Sequence, residues 1–125
     1  MVMNSLPMMA TGKIIKDYRP LIKYLELADR ELRSRTIPNS SDIEVIKELL
    51  ARGTSNLSDL INELTKYIRN RVDPELARKA VREVLGTDVD SRTAEYMISR
   101  IIAGWVIEMA EQFGIVKLKS RYLKL

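Results

Sequence analysis

Apolar residues recur at helical spacing over most of the chain. The first series alternates steps of four and three residues, through Ile14, Tyr18, Leu21, Leu25, Ala28 and Leu32. Such a heptad stripe predicts a helix that lies along a partner. Because Pro20 falls inside the stripe, we expect a kink there, or a short helix that leads into a longer one. Pro38 ends this element.

Three shorter helices are predicted by the residues at their ends. These are Ser41 and Gly53 for the second helix, Asn56 for the start of the third, and Asp73 and Gly86 for the fourth. Glu44 stands three residues after Ser41, which is the spacing of a capping box. Pro74 follows Asp73 in the first helical position, which tolerates proline because that amide has no partner inside the helix.

The fifth predicted helix runs from Ser91 to Phe113 and stops at Gly114. Its apolar residues cover more than one face, so we expect it to be the central helix, contacted from several sides. Its small residues, Ser99, Ala103 and Gly104, would allow another helix to come close. Asp88 and Asp90 precede this helix and are interpreted as its N-cap region rather than as a metal-binding pair.

From Ile115 to Leu125 apolar and basic residues alternate, which is typical of an extended segment. We therefore predict an all-α fold: a bundle of about five helices with a kinked N-terminal helical arm and an extended basic C-terminal tail. A chain of 125 residues forms a single domain. Its parts are the arm (1–36), the bundle (37–114) and the tail (115–125).

Composition narrows the possible chemistry. The chain has no cysteine and no histidine, so thiol catalysis, thiolate metal sites and the commonest general base are excluded. No nucleophile with its base and no phosphate-binding glycine loop occurs, and we predict a protein without enzymatic activity, metal or cofactor. The apolar run 101–107 lies between Arg100 and Glu108 and is too short to span a membrane.

Charge is segregated along the chain. The first 25 residues carry four basic side chains against one acidic, and the last eleven carry four against none. The 89 residues between them hold 13 basic and 16 acidic side chains, so two basic ends flank a mildly acidic middle. This distribution favours a polyanionic partner, although clustered surface charge in a protein of a hot-adapted organism would give the same pattern.

The basic ends supply the candidate binding residues. We predict phosphate contacts by Lys13, Lys16, Arg19, Lys23, Lys117, Lys119, Arg121 and Lys124, with Arg78 and Arg82 as second choices. A solvated helix face or a frayed terminus is the alternative for these residues. For Arg69, Arg71, Arg78, Lys79 and Arg82 we favour local ion pairs, since Glu75 and Glu83 each lie four residues from Lys79.

The apolar side chains of both ends are predicted to contact other subunits. This set is Ile14, Tyr18, Leu21, Leu25, Leu32, Val116, Leu118 and Tyr122. Each end would then bind protein with one side and phosphate with the other.

Three classes of function fit these features. The first is a structural protein that packages nucleic acid through backbone contacts, without reading sequence. The second is a winged-helix or helix-turn-helix regulator. A wing needs a two-stranded hairpin, and the tail lacks the turn residues of a hairpin, which argues against this class. The third is a helical small subunit of a CRISPR-type ribonucleoprotein effector, which would also be short, basic and helical.

In architecture the chain resembles one family. The shared features are a helix-rich chain of this length, the kinked element from Ile14 to Leu32, the basic ends and the lack of cysteine and histidine. It comprises the α-helical major coat proteins of filamentous viruses that infect hyperthermophilic archaea. The resemblance implies an arm and a bundle that wrap linear double-stranded DNA in an A-like form, but it covers neither individual contacts nor the tail. The expected partners are double-stranded DNA and further copies of this or a paralogous subunit. The expected location is a virion assembled in the host cytoplasm, with a cytoplasmic protein as the alternative.

Overall fold

The protein was analysed as a computed structural model, which describes residues 14–31, 40–54 and 56–116. Within these ranges the chain forms five α-helices and a 3₁₀ turn. They are α1 (Arg19–Arg30), α2 (Ser40–Ala51), α3 (Leu57–Ile68), the 3₁₀ turn Arg69–Arg71, α4 (Pro74–Leu85) and α5 (Ser91–Gln112). The described residues include no strand, so the predicted all-α bundle is confirmed.

Side-chain caps begin three of the helices where the sequence predicts them. The Asn56 side chain accepts the amide of Asp59 at 2.9 Å, and Asp90 accepts the amide of Thr93 at 2.8 Å. Asp73 accepts two amides of the first turn of α4. Each cap satisfies N–H groups that have no partner inside their own helix. At the other end of α4, Gly86 has a φ of 70°, a conformation that favours glycine.

The last helix, α5, is the centre of the bundle. The helices α3 and α4 pack along it, and α1 and α2 also contact it. From Ile102 to Glu108 every residue of α5 is buried, which confirms the prediction of a helix covered on several sides. The helix α1 packs mainly on α4, and the buried Tyr24 hydroxyl accepts the amide of Asp73 at 2.9 Å, which joins α1 to the cap of α4.

The N-terminal helix is shorter than predicted. Residues 14–18, which we call the strap, are not helical, and α1 begins only at Arg19. Pro20 therefore lies in the first turn of α1, where the missing N–H costs no hydrogen bond, and the predicted kink is not present.

The strap lies across α5 at its narrowest point. The amide of Ile14 donates to Oε2 of the buried Glu108 at 2.9 Å. A Cβ built on Gly104 would lie 2.8 Å from Cδ1 of Ile15 and 3.2 Å from Cγ2 of Ile14, with Cγ1 of Ile15 closer still. The small residue predicted to admit another helix thus admits the strap instead.

Several residues predicted to contact other subunits belong to the chain's own core. Ile14, Leu21 and Leu25 are at most 1% exposed, and Val116 is 6% exposed. The heptad stripe packs on the bundle of its own chain, so these side chains are not exposed to a second copy in this fold. Their predicted contacts with other subunits stay a prediction. Tyr18 is half-buried, and the remaining three, Leu32, Leu118 and Tyr122, lie outside the described residues.

Substitution of Gly104 by alanine should destabilise the protein by displacing the strap. Overpacking in a core costs about 1–3 kcal/mol, which exceeds the ~1 kcal/mol that alanine gains over glycine inside a helix. Urea denaturation of Gly104→Ala should therefore show a lower free energy of unfolding. Thr93→Ala, at an exposed position of the same helix, is the control and should cause little change. A Gly104→Ala protein more stable than the parent would contradict the strap's position.

Candidate nucleic-acid interface

Five of the ten residues predicted to contact phosphate lie in the described ranges. They are Lys16, Arg19, Lys23, Arg78 and Arg82. The other five, Lys13, Lys117, Lys119, Arg121 and Lys124, lie outside those ranges.

Three of the five have an acidic partner. The guanidinium of Arg19 donates to both carboxylate oxygens of Asp17, at 2.9 and 2.8 Å, and these bonds lower the pKa of Asp17. Lys23 pairs with Glu26 at 3.7 Å, and Arg78 pairs with Asp88 at 3.3 Å. The positive charge of these three side chains is thus partly neutralised within the chain.

The remaining two, Lys16 and Arg82, are exposed, and neither forms an ion pair with any described residue. Of the five predicted phosphate-contact residues that the structure describes, these two are therefore the best placed to bind an external anion.

The two basic segments adjoin the same end of α5. The strap brings the amide of Ile14 to Glu108, and the turn after α5 brings the amide of Ile115 to the carbonyl oxygen of Ala110 at 2.9 Å. Two residues of a helix span about 3 Å along its axis. The residues that precede Ile14 and those that follow the buried Val116 are therefore attached at nearly the same level along α5, although they are about a hundred positions apart in sequence. No sequence pattern could have predicted this, because it depends on where the strap docks.

The contacts that hold the strap are polar as well as apolar. Glu108 is 1% exposed and accepts the Ile14 amide, which gives a buried carboxylate a hydrogen-bond donor. The Tyr18 hydroxyl is buried nearby, and its burial, reinforced by the negative charge of Glu108, raises the pKa of Tyr18. The strap is therefore held by a hydrogen bond at Ile14, and its other end, Tyr18, is half-buried.

A second cationic surface lies near the other end of α5. The Nε of Arg69 donates to Glu95 at 2.8 Å, and the Arg69 guanidinium lies over the ring of Tyr96, 5.6 Å from its centroid. Nη1 of Arg100 lies 3.3 Å from both the Tyr96 hydroxyl and Oδ1 of Asn62. These contacts join the 3₁₀ turn and α3 to the first half of α5.

The same turn carries a second arginine–tyrosine stack. Arg71 lies 5.5 Å from the centroid of the Tyr67 ring and pairs with the fully buried carboxylate of Asp42, in α2, at 2.8 Å. We call Asn62, Tyr67, Arg69, Arg71, Tyr96 and Arg100 the arginine–tyrosine surface. Tyr67 is 41% exposed and Tyr96 is 40% exposed.

Ion pairs form at Arg69, Arg71, Arg78 and Lys79, as the sequence favours, whereas Arg82 pairs with no described residue. Lys79 pairs with Glu31 after α1, not with Glu75 or Glu83. The two tyrosines were missed, although both fall outside the apolar faces of their helices, which was the available signal. The partners are contributed by distant elements, so the 3.6-residue pattern of a single helix could not identify them.

The part of the chain that the structure describes contains neither a metal-ligand cluster nor a helix that could span a membrane. No group of three or more acidic side chains there is arranged to hold a metal ion. Asp90 is an N-cap and Asp88 pairs with Arg78, in agreement with their interpretation as the start of α5. None of the helices in those ranges has both the length and the apolar content that crossing a bilayer requires.

Comparison with known proteins finds no matching protein family, no matching curated protein and no matching solved structure. Two cationic regions bear on function: the end of α5 where the basic segments are attached, and the arginine–tyrosine surface.

The raised pKa of Tyr18 predicts a dependence of stability on alkaline pH. In the unfolded chain this phenol ionises near pH 10, whereas in the folded chain it stays neutral to higher pH. The contribution of the neutral Tyr18 phenol to the free energy of unfolding is thus complete below about pH 10 and is lost as the pH rises further. Between about pH 9 and 11 the free energy of unfolding of the parent should fall more steeply than that of Tyr18→Phe. Parallel pH profiles in urea denaturation would contradict the buried environment of this hydroxyl.

Two arginine substitutions should differ sharply in their effect on stability. Arg71→Ala removes a cation from a carboxylate that solvent does not reach, and should cost about 3 kcal/mol. Arg78→Ala breaks a pair in which both side chains are well exposed, and should cost less than about 1 kcal/mol. Chemical denaturation of the two variants measures both values. Equal losses would mean that the Arg71–Asp42 pair does not hold α2 to the 3₁₀ turn.

Proposed function

We propose that this protein is a non-enzymatic structural protein that assembles with copies of itself and packages double-stranded DNA. Its contacts are made with phosphates and do not depend on sequence, as in the coat of a filamentous virus. One observation carries the proposal: the basic N-terminal and C-terminal segments are attached at the same end of α5, through Ile14 and Val116.

This arrangement concentrates positive charge at one end of an otherwise mildly acidic bundle. The residues that follow Val116 carry four basic side chains and no acidic one. Lys13 directly precedes Ile14, and Lys16 is an exposed residue of the strap. A polyanion is attracted to the basic end and repelled by the remainder, which orients the subunit on a duplex. Lysine and arginine contacts to phosphate fix position but read no bases, so they suit packaging.

Contacts between subunits are assigned to apolar side chains that the bundle leaves open. Phe113, at the end of α5, is 63% exposed. It lies beside the point where the tail is attached, and the sequence of the tail includes Leu118 and Tyr122. Subunit contacts and phosphate contacts would then adjoin one another at this end of the bundle.

A filter-binding series over salt concentration tests the proposal. With about six cationic groups on phosphates, the slope of log affinity against log salt should be near −5, and it should be the same for unrelated duplexes. Joint replacement of Lys13, Lys16 and Lys117 by glutamine should reduce the magnitude of that slope by about 3.

The matched control is the joint replacement of Lys47, Lys66 and Lys79 by glutamine. Each of these lysines is paired with a glutamate on the bundle, so the slope should change little. Tight binding to one operator sequence would support a transcriptional regulator instead. Failure to bind duplex, with co-purification of guide RNA, would support an effector subunit. Electron microscopy of the purified protein with DNA should show filaments, and deletion of Lys117 to Leu125 should abolish them.

A further inference from the structure

The arginine–tyrosine surface has features that a purely structural set of ion pairs does not require. Among the described residues only four large apolar or aromatic side chains are markedly exposed, and Tyr67 and Tyr96 are two of them. Each ring has an arginine guanidinium stacked over it, at 5.5 or 5.6 Å from the centroid. The stacks hold the rings in place while about two-fifths of each tyrosine stays open to solvent.

Two of the arginines still have hydrogen-bond donors to offer. Within the described part of the chain, Arg69 uses only its Nε as a donor, to Glu95, and Arg100 uses only Nη1. A guanidinium has five N–H donors, so most of those on both side chains remain available. Both guanidinium groups contact Tyr96, one over its ring and the other at its hydroxyl. An aromatic face and unused phosphate-binding donors therefore occur side by side.

This surface is separate from the end of α5 where the basic segments are attached. Tyr96 and Arg100 lie twelve and eight residues before Glu108 in one continuous helix, which corresponds to about 18 and 12 Å along its axis. The function proposed above does not use it, and the present inference does not depend on that function.

We propose that the arginine–tyrosine surface binds unpaired nucleotides of a single-stranded nucleic acid. The open surfaces of Tyr67 and Tyr96 stack on bases, and Arg69 and Arg100 donate to the adjoining phosphates. Base stacking on aromatic side chains combined with cationic contacts to the backbone is how sequence-tolerant single-strand binding is achieved. Duplex DNA does not fit the same site, because its bases are already stacked on one another. Arg71 acts by positioning Tyr67, since its own charge is held by Asp42.

Fluorescence anisotropy with a labelled oligothymidylate, which forms no duplex, tests this assignment. Tyr67→Ala and Tyr96→Ala should each weaken binding about tenfold, because each removes one stacking surface. Tyr67→Phe and Tyr96→Phe keep the ring and should bind within about twofold of the parent. Arg100→Gln removes one phosphate contact and should reduce the salt slope by about 0.7.

Circular dichroism of each variant establishes that the bundle is intact. Should either alanine variant fail to fold, the corresponding leucine variant replaces it, since leucine keeps apolar bulk but lacks an aromatic ring. Parent-like oligothymidylate binding by folded alanine or leucine variants would overturn the proposal. So would tyrosine variants that bind the oligonucleotide normally but lose self-association, which would make the surface a contact between protein subunits.

The same variants separate this inference from the function proposed above. The tyrosine variants should bind duplex DNA as the parent does, and the variant lacking Lys13, Lys16 and Lys117 should keep its sensitivity to Tyr96→Ala on oligothymidylate. If the parent binds oligothymidylate but not duplex, duplex packaging fails and the single-strand site stands. If it binds duplex alone, the single-strand site fails.

Discussion

Burial of α5 on every side from Ile102 to Glu108 is the constraint on which the rest of the structure depends. A helix whose apolar residues cover more than one face is stable in water only if several elements cover it. The helices α3 and α4 supply most of that cover, and the strap closes the remaining strip at Gly104. The absence of a side chain at this one position sets how closely the strap approaches, and the Glu108 carboxylate supplies a partner for its first described amide.

Docking of the strap also determines where charge is presented. The chain is held at Glu108 before α1 and again at Ala110 after α5, so its two most basic segments are attached at one end of the bundle. The arginines near the other end of α5 differ from these segments, because carboxylates and tyrosine rings hold their guanidinium groups in fixed orientations. The molecule therefore has two cationic regions of different chemistry, one made of clustered lysines and arginines on the terminal segments and one made of oriented guanidinium groups beside aromatic rings.

Local signals were sufficient for most of the secondary structure. Asn56, Asp73 and Asp90 cap their helices as predicted because a cap acts on amides only two or three residues away. The prediction of a helix from Ile14 through Tyr18 was wrong for an equally physical reason. Their heptad spacing continues that of Leu21 and Leu25, yet a strap that packs on the same core buries apolar residues as effectively as a helix does. Spacing reports that a residue is buried, not which conformation buries it.

The sequence by itself determined the helical class, the capped starts of α3, α4 and α5, the central position of α5 and the segregation of charge, since each depends on neighbours within a few turns. Only the tertiary structure decided that the partner of the N-terminal stripe is the chain's own bundle, that the basic segments are attached at one end of α5, and that two exposed tyrosines each lie against an arginine. Contacts such as Ile14 to Glu108 and Arg69 to Tyr96 join residues far apart in sequence. They form because burying α5 brings distant elements together, and no local periodicity contains that information.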